Sequence, residues 1–155
     1  MSKSRALRAA VGAVVLAFGS MTATAQTGPS AAEISAWIRQ SLPDTIASYG
    51  GVKSGCIAIE FYQPCFGTIK ICTADQTMRF NYDARDVVAK NTTSPYDLVL
   101  SSSKGSMQVD RQMGDGGYKF GTVSDIYIVL RDPSMRPRLT SAFNALNKAC
   151  GGTGP

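Results

Sequence analysis

The chain has 155 residues, 44% of them apolar and 17% charged, a balance that fits a folded globular protein and excludes a disordered one. It has 16 basic and 11 acidic residues and no histidine, and the missing imidazole excludes Ser-His-Asp and Cys-His catalysis. Three of the basic residues lie in the first 25 positions, which leaves 13 basic against 11 acidic and a net charge of +2; no nucleic-acid binding is inferred from so small an excess.

The first 25 residues read as a secretory signal peptide. Lys3, Arg5 and Arg8 give a basic start, Ala9 to Phe18 is apolar and uncharged, and Ala23-Thr24-Ala25 is a small-x-small cleavage site. An uncleaved anchor helix is the alternative, but the apolar run is short for a bilayer span. No cysteine follows the cleavage site, which speaks against a lipoprotein, and no second long apolar run exists. Residues 26–155 are therefore expected to form one exported globular domain, with no stable membrane insertion once the signal is removed.

Past a short polar lead, Ser30-Ala-Ala-Glu33 is a capping box, in which the serine and glutamate side chains satisfy each other's backbone N–H groups. Ile34, Trp37, Ile38 and Leu42 follow at helical spacing, and Pro43 is expected to stop the helix. Trp37 is read as a core residue packing that helix, in preference to a ligand-stacking one. Tyr49 to Gly51 and Ser54-Gly55 mark a flexible loop.

The period then changes to alternation. Ile57, Ile59 and Phe61 share one face of a strand, and Gly67, Ile69 and Ile71 one face of the next, with Gln63-Pro64-Cys65 as the turn. Pairing about Pro64 sets Ile57 against Ile71 and Ile59 against Ile69, so the apolar faces coincide. The same register sets Cys56 against Cys72 and brings Glu60 diagonally near Lys70. All four cysteines (Cys56, Cys65, Cys72 and Cys150) lie beyond the signal. An even count in a small exported domain favours two disulfides over free thiols, and the register favours Cys56–Cys72, leaving Cys65 for Cys150. Three connectivities exist, and spacing does not choose among them.

Met78, Phe80 and Tyr82 alternate as a third strand, and Val87 to Ala89 follow a turn at Asp83 to Asp86. Asn91-Thr92-Thr93 is a sequon, meaningful only in a eukaryotic host. Tyr96, Leu98 and Leu100 alternate; after a turn at Ser102 to Gly105, so do Met107, Val109, Arg111 and Met113. Hairpin pairing across that turn sets Leu98 against Val109 and Leu100 against Met107. Gly114-Asp-Gly-Gly117 is a turn, Tyr118 and Phe120 begin another strand, and Ile126, Ile128 and Leu130 form the last.

The chain ends in an amphipathic helix. Leu139, Ala142, Phe143, Leu146, Ala149 and Cys150 form its apolar stripe, while Arg138, Asn144, Asn147 and Lys148 fall mostly elsewhere on the wheel. Asp132 and Ser134 are start signals, Pro133 and Pro137 suit the first turn, and Gly151-Gly152 supply the left-handed terminator. The expected fold is α+β: about seven short antiparallel strands, in two packed sheets or an open barrel, with an N-terminal helix and a C-terminal capping helix.

This order of strands and terminal helix resembles the pleckstrin-homology superfold. The tail Ala142-Phe143-x-x-Leu146-x-x-x-Cys150-Gly151-Gly152 is similar to the endings of bacterial exported proteins of unknown function with such a fold. Two departures matter. The tryptophan that eukaryotic pleckstrin-homology domains carry in the last helix is missing, and only Lys53 and Lys70 lie near the first hairpin, so the resemblance implies no lipid site.

Few residues suggest chemistry. Ser101 to Lys104 matches S-x-x-K, in which a lysine activates a serine, but that motif needs the serine at a helix start and these residues sit at an expected hairpin turn. Glu33 and Glu60 are the only glutamates; they read as a cap and as a cross-strand partner of Lys70, not as a glycosidase pair. Asp110, Asp115 and Asp125 lack calcium-loop spacing, Asp115 is a turn former, and the cysteines lack both C-x-x-C redox and zinc spacing. Arg131, Arg136 and Arg138 straddle the start of the last helix and are the candidate contacts for an anion or acidic partner, set against ordinary solvated charge. No catalytic residue, cofactor or metal ligand is assigned. The expected function is an exported binding or accessory protein without catalysis, acting on an unidentified protein partner. The alternatives are an inhibitor of an envelope-directed enzyme, presenting Gln63 to Phe66 or Met113 to Tyr118, and a Ser-Lys hydrolase using Ser101.

Overall fold

The computed structural model describes residues 28–49, 52–53 and 56–154; the expected signal peptide and the loop glycines Gly50, Gly51 and Gly55 lie outside them. Two helices bracket the strands: α1 (Ala31–Thr45) and α2 (Met135–Ala149). Between them run β1 (Ile46–Tyr49), β2 (Val52–Lys53), β3 (Cys56–Gln63), β4 (Phe66–Cys72), β5 (Gln76–Asp83), β6 (Val87–Lys90), β7 (Asp97–Ser102), β8 (Met107–Met113), β9 (Tyr118–Val123) and β10 (Asp125–Leu130). The architecture is α+β with two antiparallel five-stranded sheets, ordered β2-β1-β10-β7-β6 and β3-β4-β5-β8-β9. That is more strands than the seven expected, chiefly because Ile46–Tyr49 and Val52–Lys53 form β1 and β2.

Helix α1 begins as its sequence dictates. Glu33 Oε2 accepts the Ser30 backbone N–H at 2.8 Å, and the Glu33 N–H donates to Ser30 Oγ at 3.3 Å. Ile34, Ile38 and Leu42 are buried along one stripe, and Trp37 packs half-buried against the core. Pro43 does not stop the helix, which runs on to Thr45. Proline removes one N–H near the C-terminal end, and the last turn continues without it.

The β3–β4 hairpin has the expected register: Ile57 opposes Ile71, Ile59 opposes Ile69, and Cys56 opposes Cys72. A disulfide joins that last pair, and a second joins Cys65 to Cys150 with their Cα atoms 5.7 Å apart. Phe61 opposes Gly67, where a Cβ would stand 2.2 Å from the Glu60 carbonyl oxygen. Only glycine permits that approach. Glu60 and Lys70 are diagonal neighbours, but no ion pair joins them among the described residues. Glu60 is exposed and Lys70 half-buried, and a pair so open to solvent gains too little to hold one geometry.

The expected Leu98–Val109 and Leu100–Met107 pairs do not form. β7 lies between β6 and β10, with Leu98 opposite Ile128 and Leu100 opposite both Ile126 and Ala89. β8 lies in the other sheet between β5 and β9. The turn after Ser102 therefore carries the chain from one sheet to the other, as does the short link from β9 to β10. Leu100 thus has an apolar neighbour on each side and Leu98 has Ile128, and both are fully buried, which a hairpin with half-exposed β8 would not achieve.

One continuous core joins the inward faces of both sheets to both helices, with Phe80, Phe143, Ile69, Ile71, Ile126 and Ile128 fully buried. Leu139, Phe143 and Leu146 face that core as the helical period requires, whereas Ala149 is exposed. The helix ends in a Schellman motif: Gly151, at φ +86°, donates to the Lys148 carbonyl at 3.0 Å and Gly152 to that of Asn147 at 2.8 Å. At the other end Asp132 Oδ1 accepts the Ser134 N–H at 2.9 Å, while Ser134 makes no side-chain cap bond.

Two asparagines of α2 depart from the wheel reading. Asn147 is 1% exposed, and its amide donates to the carbonyls of Ala84 at 2.7 Å and Arg85 at 3.0 Å. Asn144 accepts the Ala89 N–H at 2.9 Å and donates to the Ala89 carbonyl at 3.1 Å. β6 is an edge strand, and these two amides satisfy the backbone groups that such an edge leaves open.

Candidate binding surface

Most of the groups flagged by sequence are occupied in holding the fold. Ser101 is buried within β7 and its hydroxyl donates to Asp125, while Lys104 pairs with Asp86 at 2.7 Å. Serine and lysine thus have separate partners, and the S-x-x-K geometry is not formed. Asp125 also accepts from Ser124 Oγ at 2.7 Å and Lys90 Nζ at 3.3 Å. The bond from Ser101 first, then that from Ser124, holds its carboxyl below the usual carboxylate range. Asp83 is held low chiefly by the side-chain bonds of Arg85, which reach its two oxygens at 3.0 and 2.7 Å. Asp115 accepts the Gly117 N–H at 2.9 Å, as a turn former does. Among the described residues no cluster of histidine, cysteine and carboxylate side chains could hold a metal.

The three arginines at the start of α2 do not converge. Arg136 is half-buried and donates to the Thr92 carbonyl at 2.8 Å. Arg138 lies 5.5 Å over the Trp37 ring, tying α2 to α1. Arg131 is exposed. Of the two candidate inhibitory loops, Gln63 to Phe66 is anchored by Cys65 to the end of α2, with Arg85 4.6 Å over Phe66. Met113 to Tyr118 carries no cysteine and is held by backbone bonds, among them Gly114 N–H to the Asp75 carbonyl at 2.8 Å.

The open surface lies elsewhere. β9 is the last strand of its sheet, and every residue from Tyr118 to Thr122 is exposed. Phe120 is 78% and Tyr118 57% exposed, on the outer side, opposite Asp110 and Gln112 respectively. On the inner side Lys119 stands opposite Arg111, both exposed, with no ion pair or hydrogen bond to either side chain among the described residues. Sequence reading found the strand and missed its position beyond the edge of the core. The available signal was the inner parity of β9: Lys119 and Gly121 offer the core nothing apolar, and only Val123 does.

No helix among the described residues is long and apolar enough to cross a membrane. No protein-family model, curated protein or solved structure matches the chain.

Proposed function

We propose that the chain is an exported binding or accessory protein without catalytic activity, which engages a protein partner through β9. One observation carries this reading: a six-residue edge strand, exposed on both faces, that presents Phe120 and Tyr118 to solvent. Large aromatics are the side chains that interfaces favour. Two disulfides and the signal-like start support an oxidising, extracytoplasmic address. The likeness to the pleckstrin-homology superfold is proposed from element order and from the tail Ala142 to Gly152, and it transfers no ligand. The test is a photo-crosslinking residue placed at position 120, and separately at exposed position 127 on the other sheet. Capture of one defined protein from position 120 and not from 127 is the expected result. Equal capture from both, or none from either, overturns it, as does a measured turnover.

The inhibitor reading rests on a different place, the Gln63 to Phe66 turn pinned by Cys65–Cys150. Loss of inhibition of an envelope-directed enzyme on changing that turn alone would mark it.

A further inference from the structure

Resting on the binding reading above, we infer that the free edge of β9 takes one added strand from a partner polypeptide, and that this strand carries an acidic residue between two apolar ones. Three of the four described outer strands are less suited to serve. β3 has α1 packed against it, β6 is bonded by Asn144 at Ala89 and by Asn147 at the Val87 carbonyl, and β2 has two residues. β9 is six residues long, has no strand beyond it among the described residues, and lacks proline or a bulge to turn a strand away, whereas β3, the other long outer strand, has a register irregularity between Phe61 and Gln63.

The side chains say what the added strand carries. Lys119 and Arg111 sit directly opposite each other, a like-charge cross-strand pair that costs free energy. A carboxylate opposite Lys119 on the new strand relieves it. The neighbours of that carboxylate fall on the other face, opposite Tyr118 and Phe120, where apolar side chains cover exposed rings. The pattern is therefore apolar-acidic-apolar. A second copy of this chain is the poorer occupant, because pairing β9 with itself adds another Arg111 and another Lys119 to an uncompensated cationic pair.

The test uses two synthetic peptides, acetyl-Thr-Val-Glu-Val-Thr-amide and its counterpart with lysine for glutamate, titrated into the intact protein to about 1 mM. The expected result is slowed hydrogen exchange at alternate β9 amides with the glutamate peptide, and binding about tenfold tighter than that of the lysine peptide. Lys119→Glu, an exposed change that leaves the core untouched, reverses the order. Equal affinities, no protection in β9, or protection that appears without peptide as protein concentration rises each overturn the inference, the last by identifying a second copy. A partner captured from position 120 with no preference between the peptides leaves the binding reading standing and removes only the added strand.

Discussion

The Asn147 side-chain amide donates to the Ala84 carbonyl at 2.7 Å, across 63 residues of chain. The same nitrogen reaches the Arg85 carbonyl, and its oxygen accepts the Gly154 N–H at 3.0 Å. One buried amide thus fixes the last helix, the turn before β6 and the C-terminal tail. Asn147→Ala leaves buried carbonyls unsatisfied and is expected to cost about 3 kcal/mol. Asn144→Ala, at a half-buried site, costs about 1 kcal/mol, and exposed Lys148→Ala close to none. Urea unfolding midpoints of the three variants check the ranking.

Tyr82 is buried, with the rings of Phe61 and Phe143 edge-on at 5.9 Å, and its hydroxyl has no hydrogen-bond partner among the described residues. Burial, the dominant cause, pushes its ionisation far above the ordinary tyrosine range. Tyr82→Phe keeps the ring contacts and removes the orphan hydroxyl, so it is expected to stabilise the fold by about 1 kcal/mol. Thermal and urea unfolding against the parent measure the sign directly.

The two disulfides close loops of different length, with cysteines 16 and 85 residues apart. Chain-entropy arguments give about 3 kcal/mol for the short loop and about 4.5 kcal/mol for the long one. Replacing Cys65 and Cys150 together by alanine is therefore expected to destabilise more than replacing Cys56 and Cys72. Each double variant is compared with the parent at equilibrium in urea.

Asp125, Asp83, Asp132 and Glu33 all titrate below their ordinary ranges, each because hydrogen bonds favour the charged form. Below pH ~4 the unfolded chain then binds more protons than the folded one. The stability these groups add is complete above the ordinary carboxylate range and is lost as pH falls through their lowered values. Unfolding midpoints are expected to be flat from about pH 5 to 7 and to drop steeply below pH ~4. Asp125→Asn lowers the neutral plateau and makes the acid limb shallower.

How far the fold was legible depends on the kind of signal. Ile57, Ile59, Ile69 and Ile71 share one parity across a two-residue turn, so a single register serves them all, and that register also brought Cys56 to Cys72. The stripe of Leu139, Phe143 and Leu146 was equally plain, because the helical period leaves one face for the core. The partner of β7 was not legible. A short turn beside two alternating strands describes a hairpin and a sheet crossover equally well, and burial against β6 and β10 decided it. Asn147 was missed because a helical wheel does not separate an asparagine facing water from one facing the carbonyls of a strand edge. At β9, alternation marks a strand but cannot say that it extends past the apolar residues able to cover it.

The bond between Cys65 and Cys150 has a consequence for how the protein withstands cleavage. Cys65 lies between the cysteines of the other bond, so the two covalent rings overlap and together span residues 56 to 150. A single peptide cut anywhere in that span, the Asn91 to Ser94 loop included, opens one ring, or both where they overlap between Cys65 and Cys72, yet leaves the molecule in one piece. Fragments separate only after reduction, so a nicked molecule keeps all of its strands tethered, the β9 edge among them.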